Sequence, residues 1–524
     1  MTRQYITTAI DYPNAAPHMG HVLEKVLADV VARWFRLRGD EVRFQIGTDE
    51  HGIKIQQTAE KEKLTPRALV DRNVPMFEEL YQKLGISADV FIRTSDEKTH
   101  WPTVIELWKR LQTAGVLKKR TYTGFYCSGC ERFLTKRDLV EGMCDIHKIK
   151  PQEVKEENWF FKLSDETAWL KKLLAKDYTI IPSFRENETM ALLETGLEDV
   201  SFSRPRSSLT WGIPVPGDEE QTMYVWCDAL TNYISGLDIF GLASKKSPLD
   251  SARGDMGRKF WDEAKVTHVI GKDIARFHAL IWPAMLKHAG VQPPDQLLIH
   301  GFLTSEGQKM SKSLGNVVKP DEVLAHFGGN PDPLRFYLSH EVPVGNDGDF
   351  SWKRIDEVYV SKLGNQLGNM LNRVLVMLKK EDQDLAVPVG KKENIDATKK
   401  QWDDFSSKLD AFDLHAALQI VVTGVDAMNR AFNDAKPWTL KGAEKIGALS
   451  SFAEGLRHVS LMLLPFIPGT AQKMALQLGV PYAGAMLERD FVLTDDMKSW
   501  NGVKGWKRIG EPSILFPPLE KKPA

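Results

Sequence analysis

Cysteine is scarce in this chain, with four residues in 524. That count excludes a disulfide-stapled secreted scaffold and leaves the thiols for metal, core or chemistry. Long apolar runs are missing too. The most apolar stretch, "VSLMLLPFIPGTA" (459–471), is too short to span a bilayer and carries Pro465 and Pro468. Neither sign of charge dominates, since 69 Lys and Arg meet 70 Asp and Glu for a formal net charge of −1. A wholly basic, histone-like binder is excluded, whereas a local basic face is not. The opening "MTRQYITTAIDYP" contains no secretory apolar region and no Arg-rich transit segment, so a cytoplasmic chain is expected. Internal repeats are absent from the sequence. What remains is ordinary globular composition, 42% hydrophobic and 27% charged, over a length that demands three or four compact units.

Periodicity orders those units. "YITTAI" (5–10) reads as a buried strand, followed by a Pro- and Asn-rich loop and a helix opening at "HMGHVLEKVLADVVARWF". Apolar residues at 22, 23, 26, 27, 30, 31, 34 and 35 form a stripe along four turns of that helix. "EVRFQIGTDEHG" is the next strand, so a βαβ unit and a parallel sheet are predicted. The same grammar returns in "VTHVIGKDIARFHALIWPAML" and "DQLLIHGFLTSEG". The predicted fold is α/β: a Rossmann-like parallel sheet in two halves (1–116 and 221–300), split by an insertion (117–220). A loop and linking segment (301–355) and a helical bundle (356–524) follow. "KKSPLDSARGDMGRK" (245–259) reads as a surface insertion.

Two stretches are suited to anions. "HMGH" falls where the first strand's carboxyl end meets a helix N-terminus, the usual ligand position of an open α/β sheet. Free backbone N–H groups and the helix dipole attract phosphate there. His18 and His21 could both donate to a phosphate chain, and Gly20 leaves room for a planar ring against the backbone. "GQKMSKSLGN" (307–316) supplies Lys309, Ser311 and Lys312 in a glycine-flanked loop, a positive clamp for charge that appears transiently. A third motif, "CSGCERFLTKRDLVEGMCDIH", pairs Cys127 with Cys130 and Cys144 with His147. Two short pairs a hairpin apart close a tetrahedral shell, and three thiolates with one imidazole suit a single structural Zn²⁺.

H-x-G-H after the first strand and K-M-S-K-S after the last resemble the two signatures of class I aminoacyl-tRNA synthetases. Met19 stands where that family commonly has Ile or Leu. The similarity sharpens to the methionyl branch over almost the whole chain, through "TAIDYPNAAPHMGH", "YVWCDALTNYISG" (224–236) and "VIGKDIARFHALIWPAML" (269–286). The resemblance implies that ATP, with Mg²⁺, meets Gly20, His18, His21, Lys309, Ser311 and Lys312. It implies a methionine pocket of Ala9, Ile10, Tyr12, Trp226, Ala229, Leu230, Tyr233, Ile274 and His278, with Asp49 on the substrate ammonium and Asp273 in support. Rings around a polarisable thioether make physical sense. An insertion of about a hundred residues leaves no room for a large hydrolytic editing domain, while an apolar pocket separates homocysteine by only ~1–3 kcal/mol. Rejection chemistry for homocysteine is therefore expected, and the resemblance implies that it takes place in the synthetic site. "PDPLRFYL" (331–338) resembles the family's stem-contact segment. Asn369, Arg373 and Trp438 match its anticodon-reading residues, with tRNA(Met), initiator and elongator, as partner. The chain ends without the dimerising domain of many relatives, so a monomer is expected.

Overall fold

The computed structural model describes residues 2–127, 132–134, 139–144, 148–242, 248–309, 317–381, 384–385 and 392–519, with 132–133, 248–255 and 309 by backbone alone. Six parallel strands form the central sheet: β1 (Arg3–Thr8), β2 (Glu41–Thr48), β3 (Val90–Arg93), β4 (Thr179–Ile181), β5 (Ala264–Gly271) and β6 (Gln296–His300). Their spatial order is β3-β2-β1-β5-β6-β4. The chain runs outward from β1 on one side and from β5 on the other. The carboxyl ends of β1 and β5 therefore border the switch-point crevice where open α/β sheets bind ligands. β1 and β6 are buried on both faces along most of their length, as parallel strands covered by helices must be.

Helix α1 (Met19–Leu37) leaves the end of β1 and packs back over the sheet. The predicted apolar stripe is buried, and so are Glu24, Lys25 and Asp29 on its other side. The helix is enclosed by sheet and bundle together. One apolar cluster joins Val22, Val26, Val30 and Phe35 of α1 to Leu418, Leu456 and Leu463 of the C-terminal bundle.

The inserted segment builds a four-stranded antiparallel sheet whose long pair, Leu117–Cys127 and Gln152–Phe161, runs in register from Leu117↔Phe161 to Tyr126↔Gln152. The chain then returns, and β4 becomes an edge strand of the central sheet before the second half begins. The stretch expected as a surface insertion at 245–259 falls largely within the helix Pro248–Glu263. Its end carries Trp261, fully buried 5.9 Å from the Tyr5 ring, and this anchors it to β1.

The bundle comprises Asn369–Glu381, Lys392–Asp410, Leu414–Ala435, Gly442–Leu463 and Pro468–Leu478. Helix Asp332–Glu341 joins it to the sheet domain through Arg335, which is wholly buried. Its guanidinium pairs with Asp29 of α1 at 2.7 Å and donates to the Phe466 carbonyl (2.8 Å) and the Pro465 carbonyl (3.2 Å). The tail folds back on the bundle, where the Tyr359 hydroxyl donates to the Pro517 carbonyl and Phe516 packs edge-on against the same ring. Among the described residues, no helix is long and apolar enough to cross a membrane.

Candidate active site

The two histidines of the first anion motif meet through local backbone geometry. His18 is extended (φ −131, ψ 173) and is the N-cap of α1, while His21 occupies the third helical position. Gly20 N–H donates to His18 Nδ1 and His18 N–H donates to His21 Nδ1, both at 3.1 Å. The rings stack at 3.8 Å with planes 18° apart. Each Nδ1 accepts, so each neutral ring carries its proton on Nε2. Burial, with His18 and Lys25 nearby, pushes the His21 pKa well below its ordinary value. A Cβ on residue 20 would lie 3.0 Å from His18 Cε1, so glycine is what lets the ring fold over the helix start.

The switch point brings most of the predicted pocket together. Ala9 N–H donates to the Val269 carbonyl and extends the β1–β5 pairing, while the Asp49 N–H donates to the Asp11 carbonyl at 2.8 Å. Ala9, Tyr12, Trp226 and Ile274 pack at the margin of one apolar cluster containing Leu230, Tyr233 and Phe277. Trp226 stacks on Phe277 at 3.8 Å with planes 8° apart, and His278 stands edge-on to Trp226. His278 Nδ1–H donates to the Ile274 carbonyl at 3.0 Å, which turns Nε2 into the acceptor of the Tyr233 hydroxyl at 2.6 Å. Burial pushes the His278 pKa down to about 4, so that ring is neutral near pH 7. The Tyr12 hydroxyl donates to the His51 carbonyl. Ile10 lies beside Gly47, Ala229 is buried one turn before Tyr233, and Asp273 is exposed beside Gly271 at the end of β5.

Lys309 stands in a two-residue strand, Gln308–Lys309, paired with Leu303–Ser305. Gly307, at φ 74, makes the turn between them and donates its N–H to Asp349 Oδ1 at 2.8 Å. Ser311 and Lys312 lie outside the described residues, as do Cys130 and His147. Cys127 and Cys144 are both fully buried in a small cluster with Leu134, apart from the main cores. The hairpin Leu139–Val140/Met143–Cys144 and an N–H of Lys148 donated to the Cys144 carbonyl fix the second thiol there. Two thiols buried together at the ends of two strands fit half of a zinc knuckle. Within the bundle, the Arg373 guanidinium lies 4.4 Å over Phe432 and 5.9 Å from Trp438, and donates to Asn433 Oδ1. Trp438 is 47% exposed in the turn Pro437–Thr439, and Asn369 is exposed one helical turn before Arg373.

Several residues at this site were given no role by the sequence. Asp228, fully enclosed, receives His51 Nδ1 at 2.6 Å and His100 Nε2 at 2.7 Å. Burial would raise its pKa, but the two rings outweigh that and hold it below the usual range. Phe277 lies within the segment 269–286 that resembles the family, but was not singled out. Asp11, Glu24, Lys25 and His300 form a further buried set under the switch point, which the sequence did not single out.

A family model described as tRNA synthetases class I (M) matches residues 4–153 and 136–375. With the split parallel sheet and the histidine pair at its first helix, the chain belongs to the class I tRNA synthetases. The methionine–tRNA ligase of Brucella suis is 39% identical over 91% of this chain and 92% of its own length. That of Fusobacterium nucleatum is 36% identical over 98% of this chain and 80% of its own. The structure of Mycobacterium tuberculosis methionyl-tRNA synthetase in complex with methionyl-adenylate matches with TM-score 0.87 and 34% identity, covering 99% of this chain and 100% of that one. Its free-state counterpart gives 0.79 at 31% identity, covering 100% and 99%. Within the class, the family is that of the methionine–tRNA ligases.

Proposed function

We propose that the chain activates L-methionine with ATP, forming methionyl-adenylate and pyrophosphate, and transfers the methionyl group to the 3′ end of tRNA(Met), initiator and elongator alike. The observation that carries this reading is the His18–His21 stack at the start of α1, set across the switch point from the aromatic wall of Trp226, Tyr233 and Phe277. The methionine carboxylate attacks the α-phosphorus and pyrophosphate departs. His18 and His21, each with Nε2–H, donate to the phosphate oxygens, and Lys309, Ser311 and Lys312 clamp the leaving group. Asp49 receives the ammonium, with Asp273 in support, and Ala9, Ile10, Tyr12, Ala229, Leu230, Ile274 and His278 complete the side-chain pocket. No covalent enzyme intermediate is needed, because positioning and electrostatics carry the rate. Mg²⁺ arriving with ATP neutralises phosphate charge.

Cys127, Cys130, Cys144 and His147 would hold one structural zinc, supported by the sequestration of the two described thiols. Asn369, Arg373 and Trp438 read the anticodon; the guanidinium beside an open indole supports that role. The five segments of the sequence reading then correspond to two catalytic halves, a connective insertion, a stem-contact segment and an anticodon domain. We further propose that the enzyme works in the cytoplasm as a monomer. The test is pyrophosphate exchange into ATP with each of the twenty amino acids. Exchange dependent on methionine alone is expected, and exchange driven by another amino acid would overturn the substrate assignment.

A further inference from the structure

Lys25 is fully buried, and a buried ammonium is costly unless each of its donors is met. Here all three are. Nζ donates to the Ala9 carbonyl at 2.9 Å, to Asp11 Oδ1 at 3.0 Å and to Glu24 Oε1 at 2.8 Å. A tetrahedral ammonium fixes three acceptors relative to one another, and these three belong to different walls of the site. Ala9 continues β1 into the amino-acid pocket. Asp11 donates its N–H to the Gly47 carbonyl at 2.9 Å and accepts the Asp49 N–H at 2.8 Å, so it sets the backbone that presents Asp49. Glu24 reaches His300 Nε2, 3.2 Å away at the end of β6. The other ring nitrogen, Nδ1, faces the Gly301 carbonyl at 2.7 Å. His300 also borders Gly271, where a Cβ would lie 3.6 Å from His300 Cε1 and 2.9 Å from Asp273 Oδ1. Lys25 itself stands one helical turn beyond His21.

We propose that Lys25 is a positioning residue for amino-acid activation: its ammonium locks Ala9 and Asp49 to the helix whose first turn holds His18 and His21, and neutralising Asp11 releases the lock. The role rests on the reading of the site given under Proposed function. It deepens that reading, because it names what keeps the amino-acid side and the phosphate side in register.

The groups facing Asp11 come from three elements. Lys25 and Glu24 project from α1, with His21 a turn above, and the Tyr81 hydroxyl of helix Pro66–Lys83 donates to Asp11 Oδ2. His300 stands behind Glu24 at the end of β6. Burial pushes the Asp11 pKa up to about 6; Lys25 and Tyr81 pull it down, and Glu24 pushes it up. As pH falls through about 6, Asp11 takes a proton and Lys25 loses one of its two counter-charges. Because the folded carboxyl holds its proton more tightly than an unfolded one, this protonation does not itself destabilise the fold. Activity falls on the acid side while the contribution of Asp11 to stability rises.

The test is methionine-dependent pyrophosphate exchange followed between about pH 5 and 8, with kcat and KM for methionine measured for wild type, Lys25→Met, Asp11→Asn and Tyr81→Phe. The wild-type acid limb is expected near the Asp11 value. Tyr81→Phe removes one hydrogen bond to the carboxylate, so its limb moves to higher pH; Asp11→Asn flattens the limb at a lower plateau. Lys25→Met lowers kcat/KM on the order of 10–100-fold, with a higher KM as well as a lower kcat. Tyr81→Phe deletes a single oxygen and keeps the comparison open if Lys25→Met does not fold. An unmoved limb in Tyr81→Phe, a wild-type limb in Asp11→Asn, or wild-type kcat/KM in Lys25→Met would each overturn the proposal. Wild-type exchange with an amino acid other than methionine overturns the substrate assignment alone, and the three variants are then compared with that amino acid. No wild-type exchange at all overturns both.

Discussion

The chain buries two clusters of charge, and they differ in where they end. In the bundle, the Arg457 guanidinium meets both oxygens of Glu454, at 2.9 and 2.7 Å, and the carbonyls of Met497 and Ser499 at 2.6 and 3.0 Å. Glu454 also accepts the Asn501 N–H, and His458 accepts the Trp402 indole N–H. Every one of these contacts closes on the chain itself, and the product is a tail fastened to a helix. The Lys25 cluster is as deeply buried, yet Ala9 and Asp11 lie just beyond the carboxyl end of β1, and His300, which Glu24 reaches, ends β6. Perturbed ionisation alone therefore does not mark function, because a structural clamp perturbs it as strongly. Position on the sheet marks it.

Breaking the closed cluster should cost the most stability. Arg457→Met leaves Glu454 buried without its cation, and a loss of about 3–5 kcal/mol is expected from urea unfolding at unchanged slope. The folded fraction should exchange pyrophosphate at the wild-type rate. A loss below about 1 kcal/mol would reduce the cluster to the rank of a surface pair.

His21→Ala should show the opposite balance. It removes a donor to developing phosphate charge, so kcat falls about 10²–10³-fold, while stability changes by only the ~1 kcal/mol of a lost cap. Equal damage to both quantities would erase the distinction between the two regions. Trp438→Ala should be milder, costing tRNA charging about 1–3 kcal/mol of stacking and leaving exchange untouched. Loss of exchange in that variant would show that the indole supports the fold instead of an RNA base.

The shallowest effect is acid sensitivity of the bundle. Burial pushes the His458 pKa down to about 4; burial would raise that of Glu454, but Arg457 and His458 hold it at about 2. Both folded values lie below their ordinary ones, so both groups contribute stability at neutral pH that is lost on acidification. His458 gives it up from about 6.5 down to 4, and Glu454 from about 4.5 down to 2. Each contributes a slope of at most about 1.4 kcal/mol per pH unit. Thermal melting followed across that range, with His458→Gln as reference, separates the two windows.

The motifs were legible because their chemistry is local. His18 and His21 fall three apart on any reading, and the fold added only that a capping box stacks their rings. The aromatic pocket was legible residue by residue, but the Trp226–Phe277 stack joins segments fifty residues apart and left no spacing to read. Lys25 and Asp29 stand outside the predicted apolar stripe, where an amphipathic helix usually meets solvent. They are buried because the bundle covers the face that the sheet does not, and no window of sequence around α1 reports the bundle. The return of β4 to the central sheet went unread for a different reason: three residues are too few for any alternation to show.

Arg335 ties these scales together. Its guanidinium is shared between a carboxylate on the helix that starts with His18 and two backbone carbonyls of the bundle, with no exposed surface. Such a joint transmits neither sliding nor hinge motion without first breaking a buried ion pair. The interval between the two ends of the molecule is thus a length built into the protein, like the jaws of a fixed gauge. An RNA that reached from the switch point to the bundle would meet that interval as a given length rather than an adjustable one.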